Sequence, residues 1–292
     1  MFKGSIVAIV TPFKNDQVDE KTLRKLVDFH IKNGTSAIVP CGTTGESATL
    51  NYEEHERVIE VCIEHAEGRI PIIAGTGSNS TQEAIMLTRH AAKAGASASL
   101  QVSPYYNKPT QKGLYEHFKA IAESVGMPMI LYNIASRTGV NIEPETIARL
   151  ARDCKNIVGV KEASGNLEQM SRVKILCGKN FDLLSGDDAL TLPVLAIGGV
   201  GVISVVANIV PRDVASLVSA FQKGNVEQAR EIHYRLAPLV KAMFIETNPI
   251  PVKTAMGLMK LCEKTLRLPM SEMLPENEKK LKEALKSYGL LK

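Results

Sequence analysis

The sequence predicts an α/β fold in which eight parallel strands alternate with helices and close into a (β/α)8 TIM barrel, followed by a C-terminal helical region. Eight short apolar runs begin 19 to 34 residues apart, close to the roughly 30 residues of one strand–helix–strand unit. Such continuously apolar runs are typical of parallel strands buried on both faces. A doubly wound open sheet is the alternative, but the even size of the units and the lack of a nucleotide-binding glycine motif favour the barrel.

The predicted strands are short, as buried strands usually are. They are Ser5–Val10, Ser36–Val39, Ile70–Ala74, Ala98–Val102, Met129–Tyr132, Ile157–Lys161, Phe181–Leu184 and Val200–Ser204.

Three of the helices between these strands have recognisable ends. Asn51 is followed three residues later by Glu54, which is the pattern of a capping box. Thr81 precedes another apolar periodicity, and Gly95 ends it in the manner of a C-terminal glycine cap. Pro144 suits the first position of a helix. These signals predict helices over Tyr52–Ala66, Gln82–Ala94 and Pro144–Arg152.

After the eighth predicted strand the sequence contains only helical patterns. They cover Val214–Gln222, Val226–Glu246, Val252–Glu263 and Glu276–Tyr288. We therefore expect a barrel domain over residues 1–224 and a C-terminal helical region over residues 225–292.

Composition and charge exclude several classes of protein. The 292 residues carry 35 Lys+Arg and 31 Asp+Glu, a net charge of +4, with 23% charged and 45% apolar residues. This balance excludes a disordered or fibrous chain, and a charge this small with no basic run does not indicate nucleic-acid binding. No apolar run approaches the about 20 residues of a membrane span. Five scattered cysteines without a C-x-x-C pair favour reduced thiols in a cytoplasm over a disulfide framework or a zinc site. We expect a cytoplasmic protein with no metal and no cofactor.

Polar residues collect where the predicted strands end, which is where a barrel of this kind carries its active site. Lys161 ends an apolar strand, and burial there favours the uncharged amine, which can attack a carbonyl to form a Schiff base. A purely structural lysine paired with Glu162 or Glu46 is the alternative. Tyr132 ends the preceding strand, so its hydroxyl is placed to transfer protons at the same carbonyl.

Two loops near these strand ends carry possible anion-binding groups. The turn Gly42-Thr43-Thr44-Gly45 offers backbone N–H groups and two hydroxyls, which suit a carboxylate. Arg137 follows Tyr132 and can bind a second carboxylate through its two parallel N–H groups. Asp187 and Asp188 form either a catalytic pair or a helix N-cap, and the following Ala-Leu-Thr-Leu-Pro favours the cap.

Six motifs together resemble the dihydrodipicolinate synthase family over essentially the whole chain. They are Gly42-Thr-Thr-Gly-Glu-Ser, Pro104-Tyr-Tyr-Asn-Lys-Pro, Tyr132-Asn-x-x-Ser-Arg-Thr-Gly, Val160-Lys-Glu-Ala, Leu184-Ser-Gly-Asp-Asp and Asn248-Pro-Ile-Pro-Val-Lys. The resemblance implies a cytoplasmic homotetramer, a dimer of dimers. It also implies an enzyme that condenses pyruvate with L-aspartate 4-semialdehyde in lysine and diaminopimelate biosynthesis.

The resemblance assigns roles to individual residues. Lys161 matches the Schiff-base lysine of the family. Tyr132, Thr43 and Tyr106 match the three members of its proton relay, with Tyr106 reaching in from a neighbouring subunit. The residues that match substrate contacts of the family are Thr44, Gly186 and the backbone of Ile203. Arg137 matches the arginine that binds the carboxylate of the semialdehyde. A site for L-lysine as feedback inhibitor matches Ser47, Ala48, His55, Asn79, Glu83 and Tyr105.

Three positions depart from the family pattern. Ala135 stands where the family usually has proline, which predicts a looser loop around Arg137. Gln101 lies inside a predicted buried strand and needs a hydrogen-bond partner. Tyr52 stands where lysine-sensitive members often carry histidine.

Two other functions remain open from the sequence. Sister enzymes of the same Schiff-base superfamily, N-acetylneuraminate lyase and 2-keto-3-deoxy sugar-acid aldolases, share the glycine turn, the tyrosine and the lysine. Arg137 and the second aromatic of Tyr105-Tyr106 favour the synthase, because a carboxylated aldehyde needs a cation whereas a sugar chain needs neutral hydrogen-bonding groups. A non-catalytic ligand-sensing barrel would not need Lys161, Tyr132 and Thr43 together.

Overall fold

The eight apolar runs form eight parallel strands in the computed structural model, which describes residues 1–292. The strands are β1 Gly4–Ala8, β2 Ala37–Val39, β3 Ile73–Gly75, β4 Ala98–Val102, β5 Met129–Asn133, β6 Ile157–Glu162, β7 Asp182–Ser185 and β8 Gly201–Ser204. Each of them overlaps a predicted strand, and β4 has the predicted bounds.

The sheet closes on itself. Its strand order is β2-β1-β8-β7-β6-β5-β4-β3, every neighbouring pair is parallel, and a bridge between Ile38 and Ile72 joins the two ends. Alternate residues of the strands point inward and form a buried apolar cluster that includes Ile6, Leu184 and Ile203. The predicted barrel is confirmed, and the open doubly wound sheet is excluded.

Helices follow the strands and cover the barrel. They are α1 Glu20–Lys32, α2 Tyr52–Ala66, α3 Thr81–Ala94, α4 Gln111–Ser124, α5 Pro144–Asp153, α6 Leu167–Cys177, α7 Thr191–Ala196, α8 Pro211–Gln222, α9 Val226–Met243, α10 Ile250–Leu258 and α11 Pro275–Tyr288. A two-stranded hairpin pairs Phe13–Lys14 with Gln17–Val18, and a short helical turn spans Ala135–Thr138.

Most of the predicted helix ends are observed. The capping box of Asn51 and Glu54 starts α2, Gly95 ends α3 in the left-handed conformation, and Pro144 is the first residue of α5. The cap of α3 was predicted one residue too late: the side chain of Ser80 accepts the backbone N–H of Glu83, and Thr81 lies inside the helix.

The C-terminal helices continue the core of the barrel. α9 packs against α8 and α11, and α10 packs against α11. Leu239, Val252 and Leu281 belong to the same buried cluster as Val7 of β1. Two of these helices are shorter than predicted, since α9 ends at Met243 and α10 at Leu258. None of the helices combines the length and the apolar content needed to cross a membrane.

Gln101 finds its partners between the barrel and α3. Its Nε2 donates to Thr76 Oγ1 at 2.7 Å and to Thr88 Oγ1 at 2.8 Å, and the two hydroxyls lie 2.9 Å apart. Thr88 donates in turn to the carbonyl of Ala84. The polar residue in this strand is therefore explained by a buried network, although Gln101 Oε1 has no partner.

Candidate active site

Lys161 and Tyr132 meet inside the mouth of the barrel. The register of β5 and β6 places the two residues side by side, and both are at least 94% buried. The Lys161 Nζ lies 4.0 Å from the centroid of the Tyr132 ring. The amine and the aromatic side chain are thus in direct contact, as the strand ends predict.

Neither carboxylate that could neutralise Lys161 pairs with it. Glu162 points to the other side of the sheet, where its carboxylate accepts from Asn133 Nδ2 (3.1 and 3.2 Å), Gln169 Nε2 (3.0 Å) and the backbone of Ser164 (2.9 Å). Burial raises the pKa of Glu162, and these hydrogen bonds oppose that shift. Glu46 is engaged by Lys253 instead. The ion pair expected by the structural alternative for Lys161 is therefore absent, because both proposed partners bond elsewhere.

Gly186 makes room for the Lys161 side chain. A Cβ at this position would lie 3.2 Å from Lys161 Cε, 2.7 Å from the Cβ of Ala163 and 3.1 Å from the carbonyl oxygen of Glu162. Any side chain here would displace the lysine or the wall of the barrel.

The Thr43–Thr44 turn is held from several sides. Thr11 Oγ1 donates to the carbonyl of Gly45 at 2.7 Å, and the backbone N–H of Gly45 donates to the carbonyl of Gly42 at 3.0 Å. Thr44 is buried, and its Oγ1 accepts from Asn248 Nδ2 at 3.1 Å. Thr43 is half-buried and lines a cavity.

Arg137 is exposed on the helical turn Ala135–Thr138, and its Nη2 donates to the carbonyl of Asn248 at 3.0 Å. The turn is closed by backbone bonds from Thr138 to Ile134 (3.0 Å) and from Gly139 to Ala135 (2.9 Å). The alanine at position 135 thus starts a regular helical turn, and Asn248 anchors the arginine side chain.

Two cavities meet at Arg137 and Ile134, which line both. The helix-side cavity, of about 620 Å³, runs from Gly186 and Ala163 to α9. The loop-side cavity, of about 650 Å³, runs from Thr43 and Arg137 to the start of α2. Arg137 therefore lies where the two cavities adjoin.

Most of the predicted lysine-site residues line the loop-side cavity. These are Ser47, Ala48, His55, Glu83 and Tyr105. Asn79 lies beside the cavity, where its Nδ2 donates to the carbonyl of Tyr105 at 3.2 Å. Burial lowers the pKa of His55 to about 4, and its Nδ1 has no partner.

The carboxylate of Glu83 already accepts two hydrogen bonds. Tyr52 donates to one oxygen and Ser78 to the other. The hydrogen bond to Glu83 is also the largest cause that raises the pKa of Tyr52. The residue that departs from the family pattern therefore binds the one acidic group of the predicted set.

Tyr106 stands away from both cavities. Tyr106 is 90% exposed, and its backbone φ of 72° lies in the left-handed region. Ile203 lies in β8, where its side chain belongs to the inner cluster of the barrel. Within one chain, Tyr106 is thus the one predicted relay residue that does not reach the barrel mouth.

Asp187 and Asp188 are structural. The Asp187 side chain accepts from the backbone of Ala189 at 2.9 Å and caps a short 3₁₀ turn. The Asp188 carboxylate accepts from Ser204 Oγ (2.5 Å) and from the backbone of Val205 and Val206. The cap interpretation is confirmed for Asp187.

The sequence indicates no role for Asn248 or Lys253, and it offers Glu46 only as a partner for Lys161. Asn248 and Lys253 were visible only as parts of a motif, because their contacts lie about 200 residues away along the chain.

Comparison with known proteins decides the family. The model of the Dihydrodipicolinate synthetase family matches residues 1–288. The chain belongs to this family. The 4-hydroxy-tetrahydrodipicolinate synthase of Syntrophus aciditrophicus is 60% identical over 291 residues, covering all of both chains. The predicted family and the predicted class of enzyme, a lyase of the aldol type, are confirmed, and the sister aldolases and the sensing barrel lose support.

Solved structures of the family have the same fold. Dihydrodipicolinate synthase from Aquifex aeolicus is 56% identical and superimposes with a TM-score of 0.98, covering 99% of each chain. An Acinetobacter baumannii structure complexed with pyruvate is 46% identical with a TM-score of 0.97, covering 100% of each chain. A Cyanidioschyzon merolae structure with lysine bound is 44% identical with a TM-score of 0.97, covering 99% of each chain.

Proposed function

We propose that the chain condenses pyruvate with L-aspartate 4-semialdehyde through a Schiff base on Lys161. The observation that carries the proposal is the buried Lys161 amine, which contacts Tyr132 and has neither neighbouring carboxylate as a partner. A lysine amine forms a Schiff base by attacking a ketone carbon, and no carboxylate ion pair occupies the Lys161 nitrogen. Dihydrodipicolinate synthase of Acinetobacter baumannii, a structural neighbour, has pyruvate in its complex.

The first half of the reaction builds a nucleophile from pyruvate. The Lys161 nitrogen attacks the ketone carbon, the oxygen leaves as water, and an iminium forms. Tyr132 supplies the proton that the departing oxygen takes, since its side chain lies against the amine. Loss of one methyl proton from the iminium then gives the enamine.

The second half joins the two substrates and releases the lysine. The enamine carbon attacks the aldehyde carbon, a carbon–carbon bond forms, and the aldehyde oxygen takes a proton. The amino group of the semialdehyde then attacks the iminium carbon, closes the ring and displaces the Lys161 amine. The lysine leaves in the form in which it started.

Thr43 and Tyr106 complete the proton relay in this proposal. Thr43 lines the loop-side cavity, whereas Tyr106 is 90% exposed and lines neither cavity. A strained backbone persists where something else holds it, and a neighbouring subunit that receives the tyrosine would supply that contact. We therefore propose a homotetramer, a dimer of dimers, in which Tyr106 serves the site of a neighbouring chain.

The two substrate carboxylates are assigned to different groups. Thr44, the backbone of Ile203 and the space at Gly186 receive pyruvate. Arg137 receives the carboxylate of the semialdehyde, because the guanidinium is exposed at the junction of the two cavities and binds carboxylates through parallel hydrogen bonds. This cation favours the acidic aldehyde over a neutral sugar chain.

L-Lysine is the proposed feedback inhibitor and binds the loop-side cavity. In this proposal the Glu83 carboxylate receives an ammonium group; Glu83 and Tyr105 both line the cavity, and Tyr105 directly precedes Tyr106 of the relay. A Cyanidioschyzon merolae relative was solved with lysine bound. Because Tyr52 and Ser78 already bond Glu83, inhibition in this chain should be weak.

Reductive trapping tests the proposal. Borohydride added with pyruvate should inactivate the enzyme and leave a stable adduct on the peptide that contains Lys161. Lys161→Met should form no adduct and lose the condensation activity, whereas Lys155→Met, at an exposed lysine that bonds only the carbonyl of Arg152, should behave as wild type. An active enzyme that shows no adduct on Lys161 would refute the mechanism.

A further inference from the structure

A buried ion pair joins the catalytic turn to the C-terminal helices. Glu46 directly follows Thr43-Thr44-Gly45, and its carboxylate accepts from Lys253 Nζ at 2.5 Å. The two side chains are 2% and 0% exposed. Burial lowers the pKa of Lys253, and the Glu46 carboxylate opposes that shift. The Lys253 Nζ also lies 4.0 Å from the centroid of the Phe13 ring.

The backbone of Glu46 needs this support. Its φ of 55° and ψ of 37° place it in the left-handed conformation, which costs free energy for any residue with a side chain. Both carboxylate oxygens are held from the C-terminal region, one by Lys253 and the other by the backbone N–H of Arg267 at 3.1 Å. The Glu46 N–H in turn donates to the carbonyl of Thr43 at 3.2 Å.

The element that carries Lys253 touches the site at two further points. Asn248 lies just before α10, donates to Thr44 Oγ1, and accepts from Arg137 through its carbonyl. One short segment, Asn248 to Lys253, thus contacts the turn on both sides of Gly45 and also holds the arginine. The turn is positioned against α10.

A buried ion pair is a poor way to gain stability, because removing two charges from water costs about as much as their attraction returns. What the Glu46–Lys253 ion pair does instead is restrict the two side chains to the one arrangement in which both have a partner. We propose that Glu46 and Lys253 are positioning residues whose buried ion pair fixes the Thr43–Thr44 turn against α10 and so orients both threonines toward pyruvate. This proposal rests on the proposed function, which gives the threonines their roles.

The double variant Glu46→Gln/Lys253→Met separates geometry from folding. It removes both charges and keeps side chains of similar size, so we expect a melting temperature close to that of the wild type. Lys253→Met alone leaves the buried Glu46 carboxyl group without its cationic partner, and the melting temperature of this variant should fall by about 10 °C. In the double variant, kcat/KM for pyruvate should fall about 10- to 100-fold. The KM should rise because Thr44 binds pyruvate less well, and the kcat should fall because Thr43 is displaced from the proton relay.

The matched control is Glu278→Gln/Lys282→Met, which removes a partly exposed ion pair of 2.6 Å on α11. It should leave kcat and KM unchanged. Wild-type kcat and KM in the folded double variant would overturn the positioning role, as would a loss of activity equal to the loss of folded protein measured by circular dichroism. Borohydride trapping on Lys161 should persist in the double variant. Its failure in the wild type would refute the proposed function instead.

Discussion

Replacing Gly186 by alanine measures how closely the barrel wall is fitted to the Schiff-base lysine. The added Cβ would lie 2.7 Å from the Cβ of Ala163 and 3.2 Å from Lys161 Cε. Carbon atoms pack comfortably at about 3.5 Å. Ala163 would therefore need to recede by about 0.8 Å and Lys161 by about 0.3 Å to restore ordinary contact.

The lysine should give way more easily than the wall. Ala163 follows β6 directly and its backbone N–H donates to the carbonyl of Asn133 at 2.9 Å, whereas the end of the Lys161 side chain forms no ion pair. Overpacking of this kind costs about 1–3 kcal/mol. A displacement of about 1 Å at a reacting atom lowers the rate about 100-fold, so a shift of a few tenths of an ångström should lower kcat/KM for pyruvate about tenfold.

The assay combines steady-state kinetics, the rate of borohydride trapping on Lys161, and thermal unfolding. Gly126→Ala is the control, because a Cβ at Gly126 meets no atom within 4 Å. Adding Ala163→Gly to Gly186→Ala removes the closest contact but keeps those with Lys161 Cε and the Glu162 carbonyl oxygen. It should therefore restore most of the stability and leave trapping slow. Wild-type kcat/KM in Gly186→Ala would refute the reasoning.

Two further predictions concern ligand binding and acid stability. Tyr52→Phe removes the hydroxyl that occupies Glu83, so half-maximal inhibition should need roughly three- to tenfold less L-lysine, and an unchanged inhibition curve in the condensation assay would contradict this. Burial lowers the pKa of His30 to about 3 and those of His55 and His117 to about 4. Between pH 6.5 and 4 the unfolded chain binds protons that the folded chain does not, so stability is full above pH 6.5 and falls with pH, by about 2 kcal/mol per histidine at pH 5. Equal denaturant midpoints at pH 7 and pH 5 would contradict the second prediction.

The barrel and the central pair of the site were predictable because both depend on local patterns. Continuous apolar runs mark buried parallel strands, and adjacent strands in register bring their last residues together. Tyr132 and Lys161 end adjacent strands and were therefore expected side by side, and the structure confirms the contact. The helix that starts at Asn51 was predictable for the same reason, because a capping box is contained within four residues.

The partners of buried charges were not predictable. From the sequence, Glu46 and Glu162 were equally suitable partners for Lys161, since each carries a carboxylate near a strand end. In the structure, Glu162 accepts a hydrogen bond from Asn133 on the outer face of the sheet, and Glu46 forms an ion pair with Lys253. The choice depends on contacts that span more than 200 residues in the second case, which no local pattern encodes.

The domain boundary near residue 224, the cytoplasmic location and the tetramer stay predictions. The exposed Tyr106 is the residue through which the tetramer is most directly testable, because Tyr106→Phe should lower kcat only if the side chain reaches another subunit's site.

Gln101 shows how a residue that breaks the apolar pattern of a strand can still be tolerated. Its Nε2 carries two hydrogens, and both are used, one on Thr76 and one on Thr88. The hydroxyl hydrogens of the threonines have their own acceptors, since Thr76 can donate to Thr88 and Thr88 donates to Ala84. Only the acceptor Gln101 Oε1 is left without a partner.

Because only Gln101 Oε1 lacks a partner, two substitutions in this network should differ in their cost. Gln101→Leu removes the unpaired acceptor and leaves no donor unsatisfied, so stability should change by no more than about 1 kcal/mol. Thr76→Val leaves one Nε2 hydrogen of Gln101 buried without an acceptor, which should cost about 1–3 kcal/mol. The double variant Gln101→Leu/Thr76→Val should be more stable than Thr76→Val alone, because it no longer contains the unsatisfied Gln101 Nε2 donor. Denaturant unfolding of the three variants decides the matter, and a larger cost for Gln101→Leu than for Thr76→Val would show that the amide, rather than the threonine pair, holds α3 on the barrel.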